Sequence, residues 1–349
     1  AWLALGSVSL VWAARPSVAV TELRVMIFEP VLFYVMFRSL RLDLRDTRWL
    51  ITALLVGGAV VAGVGFIYFA QGEAVITAEG EARRMASVYG SPNNVALFLG
   101  RCLPFALAVA LLSRPRWINA SGFALVIVMG AALALTQSVG GLFLGVPAAI
   151  VTVLVIVYRR RALLPLLILL VVGIVSLVLL ASVSDRFARA FDFTQGTNFY
   201  RLRLWESSLE MIADRPLTGL GLDQFLYAFR STYIRPDAWQ EPNLSHPHNF
   251  LLDWWLRLGA AGALLFLGMQ AQFWRGLMRA APPRDSWAFI LKAGTAGAMV
   301  NLLAHGLVDN SVYVNDLALV FALLLALAVW NDRHSKCAAA VVHSRAADE

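Results

Sequence analysis

Long apolar runs separated by short polar segments dominate this chain. The run Ala162 to Ser182 (ALLPLLILLVVGIVSLVLLAS) lacks the apolar/polar alternation of a barrel strand. It is long enough to cross a bilayer as helix, for which ~20 residues suffice. Recurrence of this pattern predicts about ten spans. They lie near 1–14 (partial), 18–37, 49–70, 94–113, 118–137, 141–158, 162–182, 249–274, 288–308 and 316–331. The first residues are already apolar and no initiator Met precedes them, so further spans are expected upstream.

The predicted organisation is an all-α, polytopic transmembrane bundle. Helices occupy 1–182 and 249–331, a long polar loop fills 183–248, and 332–349 forms a cytoplasmic tail. Within the loop, Leu202, Trp205, Leu209 and Ile212 recur at helical spacing and predict an amphipathic helix, which Pro216 ends. Such a helix would lie on the membrane surface or cap the bundle.

Composition agrees. Hydrophobic residues make up 59% and charged residues 15%, against roughly 45–50% and about 25% in soluble domains. The net charge of +7 does not call for nucleic acid, because the basic residues sit mostly between apolar blocks. Arg38, Arg41, Arg45 and Arg48 fill one loop; Arg114 and Arg116, Arg159 to Arg161, and Arg275, Arg279 and Arg284 fill others. Arg333 and Lys336 begin the tail. With the spans above all five segments fall on one side, predicted to be cytoplasmic. The segments 71–93, 138–141, 183–248 and 309–315 fall on the other. Cys102, in a span, and Cys337, in the tail, imply no disulfide.

Candidate chemistry gathers on the non-cytoplasmic side. Arg201 and Arg203 open the loop helix, with Arg186, Arg189, Arg215, Arg230 and Arg235 in the same segment. They form either a solvated basic face against lipid head groups or an anion site, since guanidinium forks match phosphate oxygens. At the loop's return to the membrane, His246 and His248 flank Pro247, and Asn249 follows. Three readings stand: a helix cap from Ser245 or Asn249 with interfacial histidines, a metal site, or a histidine base working near neutral pH. No carboxylate or cysteine cluster accompanies the pair in sequence, which disfavours the metal.

Other polar positions read as structural. Arg24 is expected to be neutralised within its helix by Glu22 and Glu29. His305 and Asp309, four apart, are expected to hydrogen-bond to each other. Trp254 and Trp255 read as interface anchors. Arg101, in a span with no carboxylate nearby in sequence, is a functional candidate.

Several motifs in order resemble one family. They are Ser91-Pro92-Asn93-Asn94, Arg201-Leu202-Arg203-Leu204-Trp205, and Asp214-Arg215-Pro216-Leu217-Thr218-Gly219-Leu220-Gly221. His248-Asn249 with Gly259 and Gly262, and His305-Gly306-Leu307-Val308-Asp309-Asn310, complete the set. Together they resemble the bacterial O-antigen ligases, a group that includes O-antigen polymerases and protein O-oligosaccharyltransferases. The resemblance implies a GT-C-like bundle in the bacterial inner membrane with a periplasmic loop. It implies an inverting glycosyltransferase, free of metal and cofactor, that moves a glycan from undecaprenyl diphosphate to a hydroxyl of lipid A-core sugar or protein. By position, His248 would be the base and Arg201 would hold the diphosphate, with Arg203 and His246 assisting. Asn249, Gly259 and Gly262 would support the site. One departure is Val139, where relatives carry an arginine in the turn Thr136 to Gly141; Arg101, Arg203 and Arg215 are the candidates to replace it. A polymerase is the alternative inside the class. A transporter or flippase of lipid-linked sugars is the alternative outside it, but that predicts internal repeats, and the sequence has none.

Overall fold

A computed structural model describes residues 1–40, 42–73, 75–77, 83–183, 185–188 and 192–347. The side chains of 75–77, 183, 185–186 and 336–347 lie outside that description. Arg41, Arg189 and the side chains of Arg186, Lys336 and Cys337 therefore lie outside the described residues.

The chain is an all-α membrane bundle. Helices α1 (Trp2–Ser9), α2 (Pro16–Glu22), α3 (Glu29–Ser39) and α4 (Leu44–Gln71) come first. Then follow α5 (Pro92–Leu112), α6 (Arg116–Thr136), α7 (Val146–Tyr158) and α8 (Leu163–Val183). Short α9 (Asp185–Ala188), α10 (Gly196–Asp214) and α11 (Phe225–Ala228) form the loop. Then α12 (Phe250–Arg279), α13 (Trp287–Gly306) and α14 (Asn315–Ala347) close the chain. A small antiparallel hairpin, β1 (Val75–Thr77) with β2 (Arg83–Met85), is the one strand pairing among the described residues.

Among the described residues seven helices are long and apolar enough to cross a membrane, where the sequence pattern predicted about ten spans. Three differences account for this. The first apolar helix covers only Trp2–Trp12, too short to span. The second is interrupted by a π-helical turn at Leu23–Phe28 and carries Glu22, Arg24 and Glu29. The runs 141–158 and 162–182 form one helical stretch, Gly141–Ser182. Arg159 (φ 53°, ψ −122°) breaks that stretch at the arginine triplet, so its 42 residues are long enough for two crossings. Leu163, Leu167, Val171, Ile174 and Val178 of α8 are all exposed. An apolar surface of that extent has lipid, not water, as its solvent.

The polar ends sort as the charge pattern predicted. At one end Arg114 ion-pairs with Asp285 (2.5 Å) and Arg284 donates to the Val157 carbonyl (2.8 Å). There too Trp330 donates to the Leu42 carbonyl (2.9 Å), and the Arg48 guanidinium lies 5.6 Å from the Trp287 ring centre. At the other end Trp12 donates to the Thr218 carbonyl (3.1 Å), Arg84 to that of Thr136 (2.8 Å), and Trp205 to that of Pro247 (2.9 Å).

The loop helix is longer than predicted and buries a different face. Leu204, Ser207, Ser208 and Met211 are buried beside Ile212, whereas Leu209 is exposed. Hydrophobic spacing misses this because two serines lie on the inner face. Ser207 donates to the Tyr233 carbonyl (2.6 Å) and Ser208 to that of Leu204 (2.7 Å), so both bury at little cost. Leu204 and Met211 share an apolar cluster with Leu220, Phe225, Phe229 and Leu256 of α12, which fixes the loop onto the bundle.

That docking depends on a kink in α12. Gly259 takes φ 67°, ψ −168° inside the helix. The segment 216–220 inserts there: Ala260 N–H donates to the Pro216 carbonyl (3.1 Å) and Leu220 N–H to that of Leu256 (2.6 Å). Backbone groups freed inside a membrane helix must find such partners.

Candidate functional site

The site is assembled where the loop re-enters the bundle. Asn249 caps α12, its side-chain oxygen accepting from Leu251 and Leu252 N–H (3.0 and 3.2 Å). Its amide donates to the Leu307 carbonyl (3.0 Å), tying the start of α12 to the segment after α13. His248, just before the cap, has φ +48°, a left-handed conformation uncommon outside glycine. Its Nδ1 lies 2.9 Å from Oδ1 of Asp309, 61 residues away in sequence. An ionised carboxylate only accepts, so Nδ1 carries the proton and Nε2 keeps the lone pair.

Electrostatics favour that state. Burial, followed by the adjacent His246, pushes the His248 imidazole down to about 4 against the opposing pull of Asp309. Burial pushes the Asp309 carboxyl up, but the His248 and His246 imidazoles outweigh it and hold the group well below the usual carboxylate range. At neutral pH the pair is therefore a neutral imidazole hydrogen-bonded to a carboxylate, which suits a general base. The expected His305–Asp309 bond is replaced by this one. α13 ends at Gly306, so Asp309 leaves the helical register, while His305 lies 3.4 Å from Ser138 Oγ.

Arg201 lies on α10 and donates to Asn198 Oδ1 (3.5 Å). It lines a cavity of about 150 Å³ together with His248, Asn93, Tyr200 and Glu241. A cation able to hold phosphate and a base thus share one small chamber. Arg84, which sequence reasoning passed over, donates to Asn93 Oδ1 (2.8 Å) at its wall. No local pattern marks Arg84; only the return of the 71–93 segment brings it there.

The three arginines weighed as replacements at Val139 lie elsewhere. Arg203 is bound to Glu206 (2.9 Å) and Asp237 (2.8 Å). Arg215 is exposed at the far end of α10, 14 residues or ~21 Å along the helix from Arg201. Arg101 is fully buried and donates to the carbonyls of Leu317 (2.9 Å) and Ser311, so it braces the chain just beyond Asp309. Gly259 and Gly262 serve the kink: a Cβ at either would collide with main chain, Leu217 at the first and Trp254 at the second.

His246 sits beside His248, ring centres 4.3 Å apart, with Nε2 3.7 Å from Asp309 Oδ1 and Nδ1 3.0 Å from Ser245 Oγ. Sequence offered the histidine pair no carboxylate; the fold supplies Asp309. One ligand atom from each of His246, His248 and Asp309 falls within 4.8 Å of the others, a set able to hold a divalent ion.

Two further expectations change. Glu22 pairs with Arg257, not Arg24, and Arg257 also reaches Asp253 (2.9 Å). Arg24 meets Glu29 (3.8 Å), at the surface. Trp254 is fully buried against Trp2, Phe266 and Tyr313 rather than anchored at an interface.

Fold and site define a multi-pass helical membrane protein with an imidazole and a guanidinium in one polar chamber. Residues 124–267 match the family model described as O-Antigen ligase, so this part of the chain is similar to that family. It covers the motifs at Arg201–Trp205, Asp214–Gly221 and His248–Gly262. No curated protein matches the chain.

Proposed function

We propose that this protein transfers a glycan from undecaprenyl diphosphate to a hydroxyl of a lipid or protein acceptor, on the non-cytoplasmic face of the bacterial inner membrane. The observation that carries this reading is the shared chamber of His248 and Arg201. The charge pattern supports this side, since the chamber lies at the end away from the arginine-rich loops.

His248 Nε2 takes the proton of the acceptor hydroxyl as its oxygen attacks the anomeric carbon opposite the diphosphate. The bond from that carbon to the phosphate oxygen breaks, and configuration inverts. Arg201 meets the charge growing on the leaving diphosphate, and Asp309 steadies the imidazolium that forms. The leaving group needs charge neutralisation more than Lewis-acid activation, so a fixed guanidinium serves without a metal.

The test is transfer by purified protein given undecaprenyl-diphosphate glycan and candidate acceptors, with chelator present. His248→Ala is expected to lower turnover by at least ~10²-fold, the usual contribution of a general base. Undiminished transfer by His248→Ala would sink the mechanism. Loss of wild-type activity on chelation, restored by a divalent ion, would reassign His246, His248 and Asp309 as metal ligands.

A further inference from the structure

A second cavity, of about 260 Å³, lies on the other side of the histidine pair. It is lined by Glu22, Asp223, Ser245, His246, Arg257 and Asn310, and neither Arg201 nor His248 reaches it. The two chambers differ in charge. The His248 chamber sets Arg201 against one carboxylate, Glu241, whereas this one sets two, Glu22 and Asp223, against Arg257, whose guanidinium already contacts Asp253 and Glu22.

The lining is not merely a satisfied ion cluster. The Glu22 side chain is 7% exposed, and while Oε1 meets Arg257, Oε2 has no hydrogen-bond partner among the described residues. A carboxylate oxygen buried without a donor is costly, and a ligand that brings one removes the cost. Asp223 stands at a left-handed backbone position (φ 51°), and burial raises its carboxyl above the ordinary range.

We propose that this cavity binds a sugar residue of the acceptor glycan, with Glu22 and Asp223 accepting hydrogen bonds from its hydroxyls. Two carboxylates repel a diphosphate, which sends the donor's anion to the Arg201 side, and they suit a neutral polyol, which has donors to offer. The volume falls under the ~300 Å³ at which drug-sized sites begin, so the cavity takes a single ring rather than a chain. The acceptor's reactive hydroxyl then passes His246 to reach His248, whose ring is 4.3 Å away.

This assignment rests on the transfer reading above, but its test does not require turnover. Methyl glycosides of glucose, galactose, N-acetylglucosamine and a heptose are screened by saturation-transfer NMR against the protein in nanodiscs. At least one is expected to bind both wild type and His248→Ala. Asp223→Asn, which tolerates the left-handed backbone, is expected to weaken that binding about tenfold, as is Glu22→Gln; Arg201→Ala leaves it within twofold. In the transfer assay Asp223→Asn raises the acceptor KM and moves the donor KM less than twofold. Thermal unfolding of each variant checks that the fold is kept. The proposal is overturned if no glycoside binds, if binding survives both carboxylate variants, or if Arg201→Ala abolishes it.

Discussion

Replacing Asp309 with Asn tests the reasoning most directly, because it changes one charge and almost no volume. In the structure one oxygen, Oδ1, accepts from both His248 Nδ1 (2.9 Å) and the Asn310 backbone N–H (2.8 Å). A backbone N–H only donates, so it selects the oxygen of the new amide for that position. His248 then keeps its tautomer and loses only the charged part of its hydrogen bond. A bond to a charged group contributes about 1.5–3 kcal/mol, which sets the expected loss in kcat/KM at roughly 10- to 100-fold. If the amide nitrogen instead faced Nδ1, the proton would move to Nε2 and the loss would approach the ~10⁴-fold known for a serine-protease triad with the same change. The assay is single-turnover transfer from lipid-linked donor, measured across pH. Asp309 raises the affinity of His248 for its proton, so its loss also moves the acid limb further down. A fall under threefold, or a lower rate with an unmoved limb, would refute Asp309 as the residue that positions the base.

Three further outcomes follow from the same geometry. In wild type the acid limb of kcat/KM is expected near pH 4, not near the ordinary histidine value of ~6.5. Burial lowers the affinity of His248 for its proton, so the base stays neutral and active as pH falls through 6; a limb above 6 would contradict this. Arg201→Ala is expected to raise the donor KM and Arg201→Lys to restore it only in part, since ammonium lacks the fork. Arg203→Gln and Arg215→Gln leave the donor KM within about twofold, as neither lines the chamber; an equal effect at all three would point to a diffuse basic surface. Gly259→Ala places a side chain at φ 67° against the Leu217 carbonyl. Left-handed strain and overpacking together cost about 3 kcal/mol, read as a lowered Tm in detergent; an unchanged Tm would show that the kink does not need glycine.

Solvent, element type and the division of the two ends can be read from the chain without its fold. Those properties come from the length of apolar runs and the placement of arginines, both local along the chain. His248, Arg201 and the glycines at 259 and 262 stand out in motifs whose spacing is local to the sequence; the fold brings the first two to one chamber and puts the glycines at the kink. The buried face of the loop helix was not, because Ser207 and Ser208 bury by hydrogen bonding, which hydrophobic spacing does not register. Nor was the partner of His248. His305 and Asp309 stand four apart, but the helix ends between them, and only the packing of the chain after α13 against the start of α12 brings Asp309 to the imidazole. The same holds for Arg257 with Glu22, 235 residues apart, and for Arg101, which donates to the main chain of Leu317 and Ser311. Charge pairing across a bundle is set by which helices lie side by side, and no spacing within one helix encodes it.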